Sequence, residues 1–249
     1  MLAAALQELA GLRLTDEDGN QHVLELLPPA TESELHRLET AVPCSVPDDI
    51  RAALRVSRGL ANGPLESFSL LDLQGFGLDE AFPCAYSIAH DGFGNYWVLD
   101  LLPSTTVWGP VLYACHDPPV IAYQAGTIEE FLRDTITMWR TGAHSSVNVV
   151  HEDVVHRVWR ENPGLESAVV LRESGDAVLR EFAGRLPAQA LVADLRSPGL
   201  GDGFSWGRFG PGTIIERAGE ERIWALVPPE RKPGFFARLF GGAPREAAG

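Results

Sequence analysis

Ala85-Tyr86-Ser87-Ile88-Ala89-His90-Asp91-Gly92-Phe93-Gly94-Asn95-Tyr96-Trp97-Val98-Leu99-Asp100-Leu101 holds two apolar stretches and the turn between them. Ala85 to His90 and Tyr96 to Leu101 have strand length and β-forming composition, and the Asp, Gly and Asn between them are turn residues. The pattern predicts an antiparallel hairpin whose glycines supply positive φ. Strand side chains alternate, so Trp97, Leu99 and Leu101 share one face, opposite Tyr96, Val98 and Asp100. Asp91 with two glycines also raises calcium binding, but one carboxylate without a second acid two or four positions on supplies too few ligands.

Working outward, strands are predicted at Phe68 to Leu73, Val111 to Cys115 and Val120 to Tyr123, extending the hairpin into an antiparallel sheet. Upstream lie a helix at Ala3 to Leu12, a turn at Asp16 to Asn20 and a short strand at His22 to Leu26. Thr31 and Glu34 form a capping box ahead of Leu35, Leu38 and Val42, which recur with helical spacing. Pro47 suits the first position of a third helix that turns Ile50, Ala53 and Leu54 inward and Arg51, Arg55 and Arg58 outward, stopping near Gly59. Thr127 and Glu130 open a closing helix with Ile128, Phe131, Leu132, Ile136 and Trp139 on its apolar face. Residues 1–143 are thus expected to be one α+β domain. Residues 144–150 read as a linker. Residues 151–249 read as a smaller α+β domain, with helices around Val154 to Trp159 and Ala177 to Leu186 and strands at Leu191 to Leu195, Thr213 to Glu216 and Arg222 to Val227.

The chain has 249 residues, 45% hydrophobic and 22% charged, enough to bury one large core or two smaller ones. Apolar runs reach only about six residues, far short of the ~20 that span a bilayer. The first residues carry no basic leader, and Gln7 and Glu8 interrupt their apolar stretch, so they read as an amphipathic helix rather than a secretion signal. Cys44, Cys84 and Cys115 are an odd number without CxxC spacing, which suits a reducing compartment; the expected location is the cytoplasm. Charge is uneven: residues 1–143 hold 7 Arg, no Lys and 20 acids, whereas residues 144–249 hold 13 basic and 14 acidic residues. So negative a first half repels nucleic acid and anionic lipid and attracts a cationic partner, unless its charge serves solubility alone.

Other motifs fail on context. Gly203-Phe204-Ser205-Trp206-Gly207 matches the G-x-S-x-G elbow of serine hydrolases, but Gly210, Pro211 and Gly212 prevent a following helix and every histidine precedes Ser205. A glycine-rich turn is expected there. His151 and His156 are five residues apart, about 140° around a regular helix, so they do not form the H-E-x-x-H zinc site. Gly199 to Gly212 lacks the G-K-[ST] ending of a phosphate loop and reads as a mobile or tightly turned loop. No metal or cofactor is expected. Phe235, Phe236, Leu239 and Phe240 alternate with Arg231, Lys232 and Arg238 in an amphipathic segment suited to docking on a partner, a membrane surface or its own domain.

Across residues 20–142 these features, taken as a set, resemble the SUKH superfamily, the Smi/Knr group of fungal cell-wall regulators and bacterial immunity proteins of polymorphic toxin systems. Val46-Pro47-Asp48-Asp49-Ile50 to Leu54 is similar to the family's Leu-Pro helix and Ala61-Asn62-Gly63 to its Asn-Gly turn. Ile88 to Asn95, with Gly92 and Gly94, is similar to its glycine-containing hairpin, and Gly126 to Leu132, with Phe131, to its closing helix. Pro64 stands where a second glycine is usual, and Ile50 and Leu54 where aromatics are common. The resemblance implies a central antiparallel sheet packed with helices and a role in protein binding without catalysis. The leading expectation is a cytoplasmic immunity protein that binds a basic toxin domain. The alternatives are a regulatory adaptor for an endogenous partner and, third, a hydrolase using Ser205. The acids expected to meet a basic partner flank the hairpin and adjoining strands: Asp72, Asp79, Glu80, Asp91 and Asp100.

Overall fold

A computed structural model describes residues 1–15, 21–61, 67–71, 77–141 and 145–229. Asn62, Gly63, Asp72, the turn at 16–20 and the amphipathic segment from Arg231 to Phe240 lie outside these residues. The first half runs α1 (Leu2–Leu9), β1 (Arg13–Thr15), β2 (Gln21–Val23), β3 (Glu25–Leu26), α2 (Glu32–Ala41), α3 (Asp48–Leu54), β4 (Gly59–Ala61), β5 (Ser67–Ser69), β6 (Ala85–His90), β7 (Tyr96–Asp100), β8 (Val111–Cys115), β9 (Val120–Ala125) and α4 (Ile128–Thr141). The second half continues with α5 (Ser146–Asn148), a π-helical turn (Val149–Val154), α6 (Val155–Glu161), β10 (Leu165–Ser167), α7 (Ala168–Leu171), α8 (Ala177–Arg185), β11 (Leu191–Asp194), β12 (Gly203–Ser205), β13 (Ile214–Arg217) and β14 (Ile223–Val227).

The α+β class is as expected. Strands β3 to β9 form a meander in chain order, and β12 adds beyond β9 to make an antiparallel sheet of eight. A second antiparallel sheet has the order β10-β11-β14-β13. The Thr31 capping box is present, with the Glu34 amide donating to Thr31 Oγ1 and the Thr31 amide to Glu34 Oε2. Pro47 sits one position earlier than expected, as the residue before α3, where its extended ψ of 156° turns the chain into the helix.

Side-chain alternation sorts the molecule into four layers. Trp97, Leu99, Leu101, Val111 and Tyr113 face a core shared with Leu6, Leu9, Ile50, Leu54 and Phe131 of the helices. On the opposite face of the same strands, Val98, Leu112, Ala114 and Ile121 meet Phe204, Ala193, Leu195, Trp224 and Leu226, so the smaller sheet stacks on the larger one. The remaining residues of β14, Ile223, Ala225 and Val227, point away to Phe182, Ala183 and Leu186, in and just after α8. Helices, large sheet, small sheet and α7–α8 thus follow one another.

This stacking corrects two expectations. Of the supposed linker, Val147 and Val150 are buried in the helix-side core and Ser145 caps α5, so residues 146–150 are helical and packed. Gly203-Phe204-Ser205, expected as a turn, is an edge strand of the large sheet. A Cβ at Gly203 would overlap the Ile121 carbonyl, so this strand approaches β9 as closely as it does because residue 203 has no side chain. Phe204 beside it is fully buried and contributes about 1.5–3 kcal/mol by removal from water.

Candidate functional site

The hairpin between β6 and β7 is held by its own first residue. Asp91 Oδ1 accepts from the amides of Phe93 (2.9 Å) and Asn95 (3.2 Å), while Oδ2 accepts from Asn95 Nδ2 (2.6 Å). Asn95 Oδ1 in turn accepts from the His116 amide at 2.9 Å, tying the hairpin to the β8–β9 turn. Gly92 and Gly94 take φ of 79° and 89°. The product is a braced loop with Phe93 at its tip, 87% exposed. An exposed phenylalanine on a loop this firmly pinned is a preorganised apolar contact.

Beside the hairpin lies an open trough of about 760 Å³. Its lining includes Leu78, Asp79 and Glu80 from the first half, and Trp159, Trp206 and Pro211 from the second. An adjoining hollow of about 310 Å³ shares Leu78, His116 and Trp206 and extends the trough to Tyr96 and Gly94, at the foot of the hairpin. Trp206 follows β12 directly, in a turn closed by the Arg208 amide on the Ser205 carbonyl. Arg208 Nη1 also donates to the Trp159 carbonyl at 3.0 Å, so the two tryptophans are positioned together. The glycine-rich loop after Trp206 is tightly turned: Phe209 donates to Thr213 Oγ1, which donates to the Gly210 carbonyl.

The candidate acids have separate fates. Asp79 and Glu80 are exposed on the trough wall, and neither is ion-paired among the described residues. Asp91 is half-buried, its carboxylate occupied by the hairpin bonds. Asp100 is a correction: it is fully buried, with Oδ1 and Oδ2 accepting from Arg217 Nη1 (2.9 Å) and Nη2 (2.6 Å), and it offers nothing to a partner. It lies on the face opposite Trp97 and Leu99, as alternation requires, and β13 covers that face. Of the basic stripe expected on the third helix, only Arg51 lies within α3, and Arg51 pairs with Glu39 and Arg58 with Glu34 at 3.0 Å, both acids on α2.

Ser205 is fully buried in β12, and its Oγ has no hydrogen-bond partner among the described residues, so no histidine activates it there. His151 lies in the π-helical turn, where the regular-helix spacing does not hold; its ring meets Tyr113 edge-on at 5.7 Å. Among the described residues no three His, Cys, Asp or Glu side chains gather as metal ligands would. Burial raises the thiols of Cys44, Cys84 and Cys115 above their usual range, keeping them protonated.

Sequence reasoning missed Trp159 and Trp206 as surface residues. A signal existed: β8 and β14 are apolar at every position, the mark of strands covered on both faces, and something had to cover the Tyr96–Val98 side. No curated protein and no solved structure matches the chain. Residues 29–134, from just before the Thr31 cap through the first half of α4, match the SMI1 / KNR4 family (SUKH-1). This segment, with its Pro47 helix, braced Gly92–Gly94 hairpin and closing helix around Phe131, belongs to the SMI1/KNR4 (SUKH-1) family.

Proposed function

We propose that this chain is a cytoplasmic immunity protein that binds a basic bacterial toxin domain and neutralises it by covering its active surface. The family supports an immunity or regulatory protein-binding module and is generally non-catalytic. The observation that carries the choice of partner is the exposed Asp79–Glu80 pair, without an ion-pair partner among the described residues, on an aromatic trough within a half that holds 20 acids against 7 arginines. Such a field attracts a cationic protein from a distance, and aromatic side chains then supply the close contact. No helix among the described residues is long and apolar enough to cross a membrane.

The test is co-expression with a candidate toxin domain drawn from the products of the neighbouring genes. The chain should restore growth and elute with the toxin domain as one stoichiometric complex. Growth arrest that persists despite soluble chain would remove the immunity reading and leave the regulatory adaptor.

A further inference from the structure

We infer that the trough between Glu80 and Trp206 is an arginine-binding cleft, and that the partner docks by inserting an arginine with an apolar neighbour into it. The inference rests on the protein-binding reading above and names the surface and the chemistry it takes. Two observations converge. One open space of about 760 Å³ is lined by both two tryptophans, Trp159 and Trp206, and two carboxylates, Asp79 and Glu80. A guanidinium suits that combination, because it is planar, stacks on an indole face and takes a carboxylate bidentately, whereas a lysine ammonium does only part of this. The adjoining hollow at Tyr96, and the exposed Phe93 on the same hairpin, offer an apolar seat for the arginine's neighbour.

A second copy of this chain is a poor occupant, since it brings a net charge of −14 to an acidic rim. The cleft is also a product of both halves. Asp79 and Glu80 lie within the family segment, while Trp159 and Trp206 lie beyond residue 134. The second half therefore supplies part of the surface by which the first half recognises its partner.

The probe is the fluorescein-labelled peptide Gly-Phe-Arg-Gly-Arg-Phe-Gly, with lysine and glutamate versions, titrated by anisotropy against the full chain; the toxin domain is titrated in parallel. The arginine peptide should bind more tightly than the lysine peptide, and the glutamate peptide should not bind. Asp79→Asn with Glu80→Gln should weaken arginine-peptide and toxin binding about tenfold each, about 1.4 kcal/mol. Trp206→Ala should do the same and Trp206→Phe should recover part of it, with melting temperatures separating loss of contact from loss of fold. Equal binding of all three peptides, or variants that bind like wild type, overturns the cleft. So does an increase in affinity when Arg231, Lys232 and Arg238 are replaced by serine, because the chain's own segment would then be the occupant. Toxin binding indifferent to the cleft variants sinks the cleft and leaves immunity standing. A cleft that binds the arginine peptide in a chain that gives no protection sinks immunity instead.

Discussion

Asp100 and Arg217 are 0% and 5% exposed and join two strands 117 residues apart. Arg217 also donates to the Ala81 carbonyl and lies 5.0 Å from the Trp224 ring, whose Nε1 donates to the same carbonyl at 2.8 Å. A buried pair of this kind has a net worth near zero against an apolar replacement, because desolvation offsets attraction. Burial of Phe204 and Trp224 therefore does more than the pair to hold the sheets together. Asp100→Ala alone leaves a guanidinium buried beside Arg222, and should destabilise the protein by about 3–5 kcal/mol in urea melts. Asp100→Leu with Arg217→Met should cost far less; equal losses in both variants would show that the pair itself stabilises. Phe93→Ala, at an exposed tip, should change stability by under about 0.5 kcal/mol while weakening toxin binding. The burial of Asp100 was beyond sequence reasoning for a definite reason: alternation gave its face correctly, but what covers that face comes from residues far along the chain.

At the scale of elements, local chemistry was legible wherever a motif closes on itself. The two capping boxes and the hairpin with its positive-φ glycines all depend on contacts within five residues. Strand β12 was not legible, because a three-residue strand among glycines is defined by its partner. Caps also carry a pH dependence. The Thr31 amide on Glu34, followed by the Thr31 hydroxyl, holds the Glu34 carboxyl below its usual range; the Leu179 amide and then Arg196 do so for Asp176. A folded-state value below the unfolded one means stability that is full at neutral pH and is lost as pH falls through the folded value. Melting at pH 7 and pH 3 should show a smaller acid-induced drop for Glu34→Gln than for wild type. Thr31→Ala should cost about 1 kcal/mol at pH 7.

At the scale of the molecule, charge and composition suggest two domains, 1–143 and 151–249, and three described features cross that division. They are β12 on β9, the buried Asp100–Arg217 pair, and the packing of Val147 to Val158 with the first half's helices. A fragment of residues 1–143 would expose Val98, Leu112 and Ala114 and strip Asp100 of its cation. It should melt well below the full chain, and a fragment melting at the same temperature would show two independent units. Charge at this scale governs encounter: raising salt should slow association with the toxin domain more than it speeds dissociation, as stopped-flow mixing would measure.

The pairing of β12 with β9 also sets a clock on synthesis. Gly203 is translated 78 residues after Ala125. At about 5–20 residues per second the nascent chain carries an uncovered β9 edge for roughly 4–16 s. Through that interval the strand Val120–Ala125, apolar at most positions, offers open amides and carbonyls to any neighbouring chain. Heavy overexpression crowds nascent chains together at this stage, so the yield of soluble protein should rise when translation is slowed by cooling or by a weaker promoter.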